Sequence, residues 1–274
     1  MKMWKYSMTV ALAVLAASAA HAQGLAITQI STDRLLSSQE TRLYLSLPAL
    51  PRMGQESADA LEIWESGDGE NYERRELRSL TPRPHDDMGI SFFLLMDNSG
   101  SMWTDIDGAE TTETDKLRVS QAKAAAKSFL DALGERDRVG LAVFNTRYWN
   151  AALPGSGAQD IMRSLDELRR PASEDAYTEL YLSMGRALTD FSAEPGRRVL
   201  IILSDGENFP YAQITGKPNP ETGTDSASPA EIIESAIRNG ISVYAIRFGA
   251  QKDPLLGSMA EQSGGRAFDA MDMA

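Results

Sequence analysis

The segment Asp97-Asn98-Ser99-Gly100-Ser101 sets three oxygen-bearing side chains at i, i+2 and i+4, and Gly100 lets the chain turn tightly between them. A second oxygen-rich group, Ser204-Asp205-Gly206-Glu207, follows a separate apolar run much later in the chain. Neutral hydroxyls with few charges make a hard ligand set, suited to Mg²⁺ or Mn²⁺. Taken singly, Asp97 or Asp205 reads as a helix cap after a strand. Taken together, with Ser99 and Ser101 in place, they match a hard-ion site. Softer chemistry is excluded by inventory. The 274 residues include no cysteine and two histidines, His21 and His85. That removes thiolate and multi-histidine metal sites, disulfides, cysteine nucleophiles and a Ser-His-Asp triad.

Each oxygen group sits directly after an apolar run. Residues 90–96, 139–144, 199–203 and 241–246 are four such runs, the pattern of strands buried on both faces of a parallel sheet. Helical periodicity lies between them. Val119, Ala122, Ala126, Phe129, Leu130 and Leu133 share one face and Gly134 follows as a stop; Leu180, Met184, Leu188 and Phe191 repeat the pattern. Ser228-Pro229-Ala230-Glu231 is a capping box with proline at the first helical position, and Asn239-Gly240 ends that helix. Asp253-Pro254 opens another. Alternating strands and helices predict an α/β class, a doubly wound, mostly parallel sheet flanked by helices. Such sheets bind ligands outside the carboxyl ends of their strands, where both oxygen groups fall.

Hydrophobic residues make up 42% of the chain and charged residues 24%, enough apolar mass for a core. The 27 Lys+Arg against 39 Asp+Glu give a net charge of −12. An acidic chain is a poor partner for nucleic acid, whose phosphates need a basic face. Lys2 and Lys5 precede an apolar run from Met8 to Ala20, and Ala20-His21-Ala22 is a small-x-small cleavage pattern before Gln23. The run is shorter than the ~20 residues a bilayer needs. Residues 1–22 are therefore expected to be a secretory signal peptide cleaved after Ala22, leaving no span in a secreted or periplasmic mature chain. Residues 23–81 predict a small antiparallel β module, with alternation at Leu43, Leu45 and Leu47 and at Ala60–Trp64, and a turn at Gly67–Asn71. Residues 82–87 have linker composition.

The stretch Phe93–Met102 resembles the signature of von Willebrand factor A domains, whose metal-ion-dependent adhesion site opens with an Asp-x-Ser-x-Ser loop. The resemblance covers residues 88–274 and is carried by further segments in order. Thr178, in Asp175–Tyr181, matches the family's threonine before a helix. Asp205 matches its aspartate in a Ser-Asp-Gly context, and Ser263–Phe268 is similar to the stretch before its last short strand. The resemblance implies roles: Ser99 and Ser101 as direct ligands of the ion, Asp97 and Asp205 acting mostly through water, and Thr178 acting directly or through water by conformation. It also implies a metal position completed from outside by a protein partner's Asp or Glu. One departure is Ala176-Tyr177, where many relatives carry glycine shortly before the threonine. Relatives usually add a further helix, of which Met271–Ala274 is at most a start.

The function expected on these grounds is an extracytoplasmic, metal-dependent, adhesion-type binding module rather than an enzyme. The alternative is a Mg²⁺-dependent phosphoryl hydrolase with Asp97 as nucleophile. It is disfavoured because Ser99 stands where such enzymes tend to carry a second carboxylate. A third possibility is a domain whose metal only stabilises the fold. Asp105-Ile106-Asp107-Gly108 hints at a calcium loop, but its later ligands are out of register, so a solvated acidic loop is preferred. Trp103, Tyr148, Trp149, Phe209 and Tyr211 are expected in loops at the metal-bearing edge. The long 208–226 segment, rich in Pro, Gly, Asn and Thr, is expected to be functional or disordered.

Overall fold

A computed structural model of the chain describes residues 26–31, 38–46, 61–80, 89–194, 196–249 and 254–270. The expected signal peptide, the linker at 82–87, His85, Asp253 and the tail at 271–274 lie outside the described residues. Near the start, β1 (Ala26–Ser31) pairs with β2 (Arg42–Ser46), and β3 (Ile63–Glu65) pairs antiparallel with β4 (Glu73–Arg75). The chain divides into two compact units. One joins residues 27–45 to the large sheet described next, and the other holds the β3–β4 hairpin. Asp68 closes the hairpin turn: its Oδ1 accepts from the backbone N–H groups of Glu70 and Asn71 at 2.9 and 2.8 Å.

The four apolar runs form β5 (Ile90–Asp97), β6 (Arg138–Phe144), β8 (Arg197–Ser204) and β9 (Ile241–Arg247). With β7 (Tyr148–Ala152) and β10 (Arg266–Asp269) they make a six-stranded sheet in the order β10-β9-β8-β5-β6-β7. Every pairing is parallel except that of β7, which runs antiparallel to β6 along one edge. Because side chains alternate along a strand, the two faces of β5 go to different cores. Phe93 and Leu95 join the apolar layer under α3 (Leu180–Phe191), α5 (Pro229–Arg238) and α6 (Pro254–Gln262). Leu94 and Met96 join the layer under α1 (Arg118–Asp131) and α2 (Ala158–Glu167). A sheet covered on both faces by crossover helices is the doubly wound architecture the strand pattern predicted.

The capping box forms as read. Ser228 Oγ accepts from the Glu231 N–H at 3.3 Å, and the Glu231 carboxylate accepts from the Ser228 N–H at 2.7 Å. Three elements depart from the sequence reading: the helix Tyr211–Thr215, where Tyr211 was expected in a loop, and the two that follow. Ile161 and Leu165 of α2, four apart, are fully buried, yet this helix was too short to stand out from its surroundings. Tyr148 and Trp149, expected in a loop, instead open strand β7. Five residues with two polar-facing positions carry little strand signal, and β6 supplies the pairing that fixes them. Among the described residues, no helix is long and apolar enough to cross a membrane.

Candidate metal site

Strands β5 and β8 are neighbours, but the chain leaves them in opposite directions, β5 toward β6 and β7, β8 toward β9 and β10. The crevice outside their carboxyl ends is the topological switch point where α/β sheets take ligands. Register puts Met96 beside Leu203, so Asp97 ends its strand next to Ser204 and one residue from Asp205. Residues distant in sequence thus reach one edge because two buried strands stop together.

Asp97 is fully buried and both carboxylate oxygens are engaged. Oδ1 accepts from the Ser99 N–H at 2.7 Å and Oδ2 accepts from the Ser204 hydroxyl at 2.6 Å. Ser204 Oγ accepts in turn from the Gly206 N–H at 3.0 Å. The Ser99 and Ser101 hydroxyls lie 3.2 Å apart on the following turn. Asn98 pins that turn: its N–H donates to the Phe144 carbonyl at 2.7 Å, its Oδ1 accepts from the Trp103 indole at 3.0 Å, and its Nδ2 donates to the Arg169 carbonyl at 3.2 Å.

The Gly100 N–H donates to the Ala176 carbonyl at 2.9 Å, which draws the Thr178 loop against the Asp97–Ser101 turn. A Cβ at Gly100 would lie 3.1 Å from the Ala176 Cβ, so the close approach favours glycine there. Thr178 is buried, and its backbone exchanges two hydrogen bonds with Phe209, at 3.0 and 2.9 Å. At Ala176-Tyr177, where the sequence departs from the resemblance, the Ala176 carbonyl does the holding.

Asp205, 3% exposed, is the least satisfied member. Its Oδ2 accepts from Arg118 Nη1 at 2.9 Å, whereas its Oδ1 is buried without a hydrogen-bond partner among the described residues. Burial, then the nearby Asp205 charge, push Asp97 up to about 7, against the hydrogen bonds from Ser204 and Ser99 that pull it down. The two buried carboxylates lie near each other and a guanidinium contacts only Asp205, so the edge is short of positive charge. An unpartnered carboxylate oxygen beside neutral hydroxyls is what a hard divalent cation, or its water, satisfies. The residues present fit such an ion.

Sequence reasoning brought together Asp97, Ser99, Ser101, Asp205 and the loop of Thr178. It missed the role of Ser204, although the Ser-Asp-Gly context was in view, and it missed Arg118, which no motif marks.

Other sequence features settle into structural roles. Asp105 Oδ1 accepts from the N–H groups of Asp107 and Ala109, at 3.0 and 2.8 Å, so its carboxylate closes its own turn. Glu110 is held by Arg170 through two contacts, and Glu113 by Lys116 at 2.8 Å. Trp103 lies in a 3-10 turn at Gly100–Trp103 and packs on the core beside α1. Tyr177 stacks on Phe209 and meets Tyr211 edge-on, with ring centroids 6.1 and 5.0 Å apart; Phe209 remains 46% exposed beside the Thr178 loop.

The 208–226 segment is more than irregular loop. It contains α4 (Tyr211–Thr215) and a tight turn in which Asn219 and Gly223 exchange backbone hydrogen bonds at 2.7 and 2.8 Å. Asn219 Nδ2 donates to the Thr146 carbonyl and to Glu179 Oε1, both at 2.9 Å. Glu179 Oε1 also accepts from the Tyr211 N–H at 2.9 Å. One buried amide therefore ties this strap to the residue next to Thr178. Asn219→Ala removes these two bonds and the two that its Oδ1 accepts from the Glu221 and Thr222 N–H groups, at 2.8 and 3.2 Å, and leaves the Thr146 carbonyl and the Glu179 carboxylate each one donor short. The expected cost is about 1–3 kcal/mol, read by denaturant unfolding.

The family profile of the von Willebrand factor type A domain matches residues 92–274. Among solved structures, the PilB minor pilin from Streptococcus sanguinis is similar over 98% of this chain and 75% of its own, at 14% identity and a TM-score of 0.50. BatB from Bacteroides thetaiotaomicron is similar over 66% of this chain and 90% of its own, at 18% identity and a TM-score of 0.48. The vWF domain of the type V pili tip protein Mfa5 from Porphyromonas gingivalis is similar over 68% and 91%, at 11% identity and a TM-score of 0.46. At such identities the likeness is one of fold. A comparison with curated proteins gives no match.

Proposed function

This chain belongs to the von Willebrand factor type A domain family, and on that premise we propose that it is a metal-dependent protein-binding module acting outside the cytoplasm. The observation that carries the proposal is the meeting of Asp97, Ser99, Ser101 and Asp205 at the switch point, with a buried Asp205 oxygen that has no hydrogen-bond partner among the described residues. Ser99 and Ser101 would hold Mg²⁺ or Mn²⁺ through their hydroxyls, with Thr178 beside them and Asp97 and Asp205 behind. The bound ion would supply a positively charged, oxygen-seeking centre, open to the Asp or Glu carboxylate of a protein partner. Asp97 and Ser204 keep the turn at Ser99 in place, and Asn98 locks it to β6, so the hydroxyls are positioned before any ion arrives. The exposed Phe209 ring offers apolar area next to the Thr178 loop.

A hydrolase built on an Asp97 nucleophile has weaker support, because a nucleophilic carboxylate must reach substrate and Asp97 is fully buried with both oxygens engaged. Export rests on the basic start, apolar run and Ala20-His21-Ala22; residues 1–22 retained on a cytosolic protein would overturn it. Calorimetric titration of Mg²⁺ and Mn²⁺ into the purified chain tests the site. Saturable binding of one ion per chain is expected, and the absence of binding to either ion overturns the proposal.

A further inference from the structure

Arg118 opens α1, and a cation at a helix N-terminus opposes the helix dipole. The first turn of α1 contains no acid, and Leu117 before it supplies no side-chain cap. Nothing local to the helix favours arginine there. The compensation comes from elsewhere. Its guanidinium, 9% exposed as a residue, donates through Nη1 to Asp205 at 2.9 Å and through Nη2 to the Ile106 carbonyl at 3.0 Å. The same Nη1 lies 3.5 Å from the Ser101 carbonyl. The Arg118 Nε is buried without a partner among the described residues. A charged side chain that breaks a local rule, is incompletely satisfied, and reaches between the two halves of a candidate site belongs to that site's electrostatics.

We propose that Arg118 is a resident counter-ion of the candidate metal site: its guanidinium holds Asp205 in the ion-free protein and sets how tightly the site takes a divalent cation. This inference rests on the metal-site reading above. Arg118 offsets one of two buried carboxylates, so it keeps the apo site from flying apart by charge repulsion. The same charge repels an incoming Mg²⁺, so stability without the ion and affinity for it are set against each other. A site tuned in this way is filled only when the ion is abundant, and its partner binding follows the ion concentration.

The test compares wild type with Arg118→Met and Arg118→Gln, the latter keeping a donor for Asp205 or Ile106 without the charge. Thermal unfolding in EDTA and calorimetric titration with Mg²⁺ and Mn²⁺ are the two readouts. Both variants are expected to melt lower than wild type in EDTA and to bind the ion about ten-fold more tightly or better, because a repelling unit charge is gone. If wild type binds no ion but either variant does, Arg118 stands as the counter-ion while the metal reading of the wild-type chain fails. Unchanged or weaker ion binding in a folded variant overturns the inference, since a purely structural arginine would lower stability without tightening the site. No binding in wild type or variant overturns both readings.

Discussion

Asp97→Ala is expected to weaken Mg²⁺ and Mn²⁺ binding by about 10–100-fold or more, the scale seen when a group that orients metal ligands is removed. The chain should stay folded. Asp97 lies at the end of β5, beyond the apolar layers that hold the sheet. Its loss strands the Ser99 N–H and the Ser204 hydroxyl, a cost of about 1–3 kcal/mol. It also removes a buried negative charge that burial and Asp205 already disfavour, which offsets part of that cost. Calorimetry and far-UV circular dichroism on the same sample check both halves. Undiminished ion binding in a folded variant would remove Asp97 from the site.

The largest stability effect is expected at Phe93. Its side chain is fully buried in the layer under α3 and stacks on Phe191 with ring centroids 5.4 Å apart. Its ring also fills the space over Gly140, where an added Cβ would fall 2.8 Å from it. Phe93→Ala leaves a cavity that rigid strands on either side are slow to collapse into, and costs about 3–5 kcal/mol. That is a large part of a domain's total stability, about 5–15 kcal/mol. Denaturant unfolding reads it as a lowered midpoint. A loss below 1 kcal/mol would mean that the layer under α3 is not packed as described.

The scaffold was legible because its signals are local and repeated. Four apolar runs became four buried strands, and the Ser228–Glu231 capping box formed with both reciprocal bonds. The placing of Asp97 and Asp205 at one edge followed from the neighbouring strands that end at Asp97 and just before Asp205. What stayed hidden depends on contacts between distant residues. Arg118 and Asp205 are 87 positions apart, and only the fold brings the start of α1 to the end of β8. Strand β7 is defined by its pairing with β6 rather than by its own five residues. The strap at 208–226 reads as loop composition, yet the single buried side chain of Asn219 fastens it through bonds to Thr146 and Glu179. Composition does not distinguish a fastened loop from a loose one; buried hydrogen-bond partners do.

These features share one edge, and the binding reading makes the ion the hinge of recognition. The chain carries a net charge of −12, so an acidic partner would be repelled unless a cation inverts the sign locally. The most direct measurement is capture of protein partners from extracellular or envelope material by the immobilised mature chain, in Mg²⁺ and in EDTA, with Ser99→Ala as control. The expected result is a partner retained in Mg²⁺, released by EDTA and not retained by Ser99→Ala, with little loss at moderate salt because the contact is direct rather than long-range. A partner held equally well in EDTA, or equally by Ser99→Ala, would contradict metal-dependent recognition at this site.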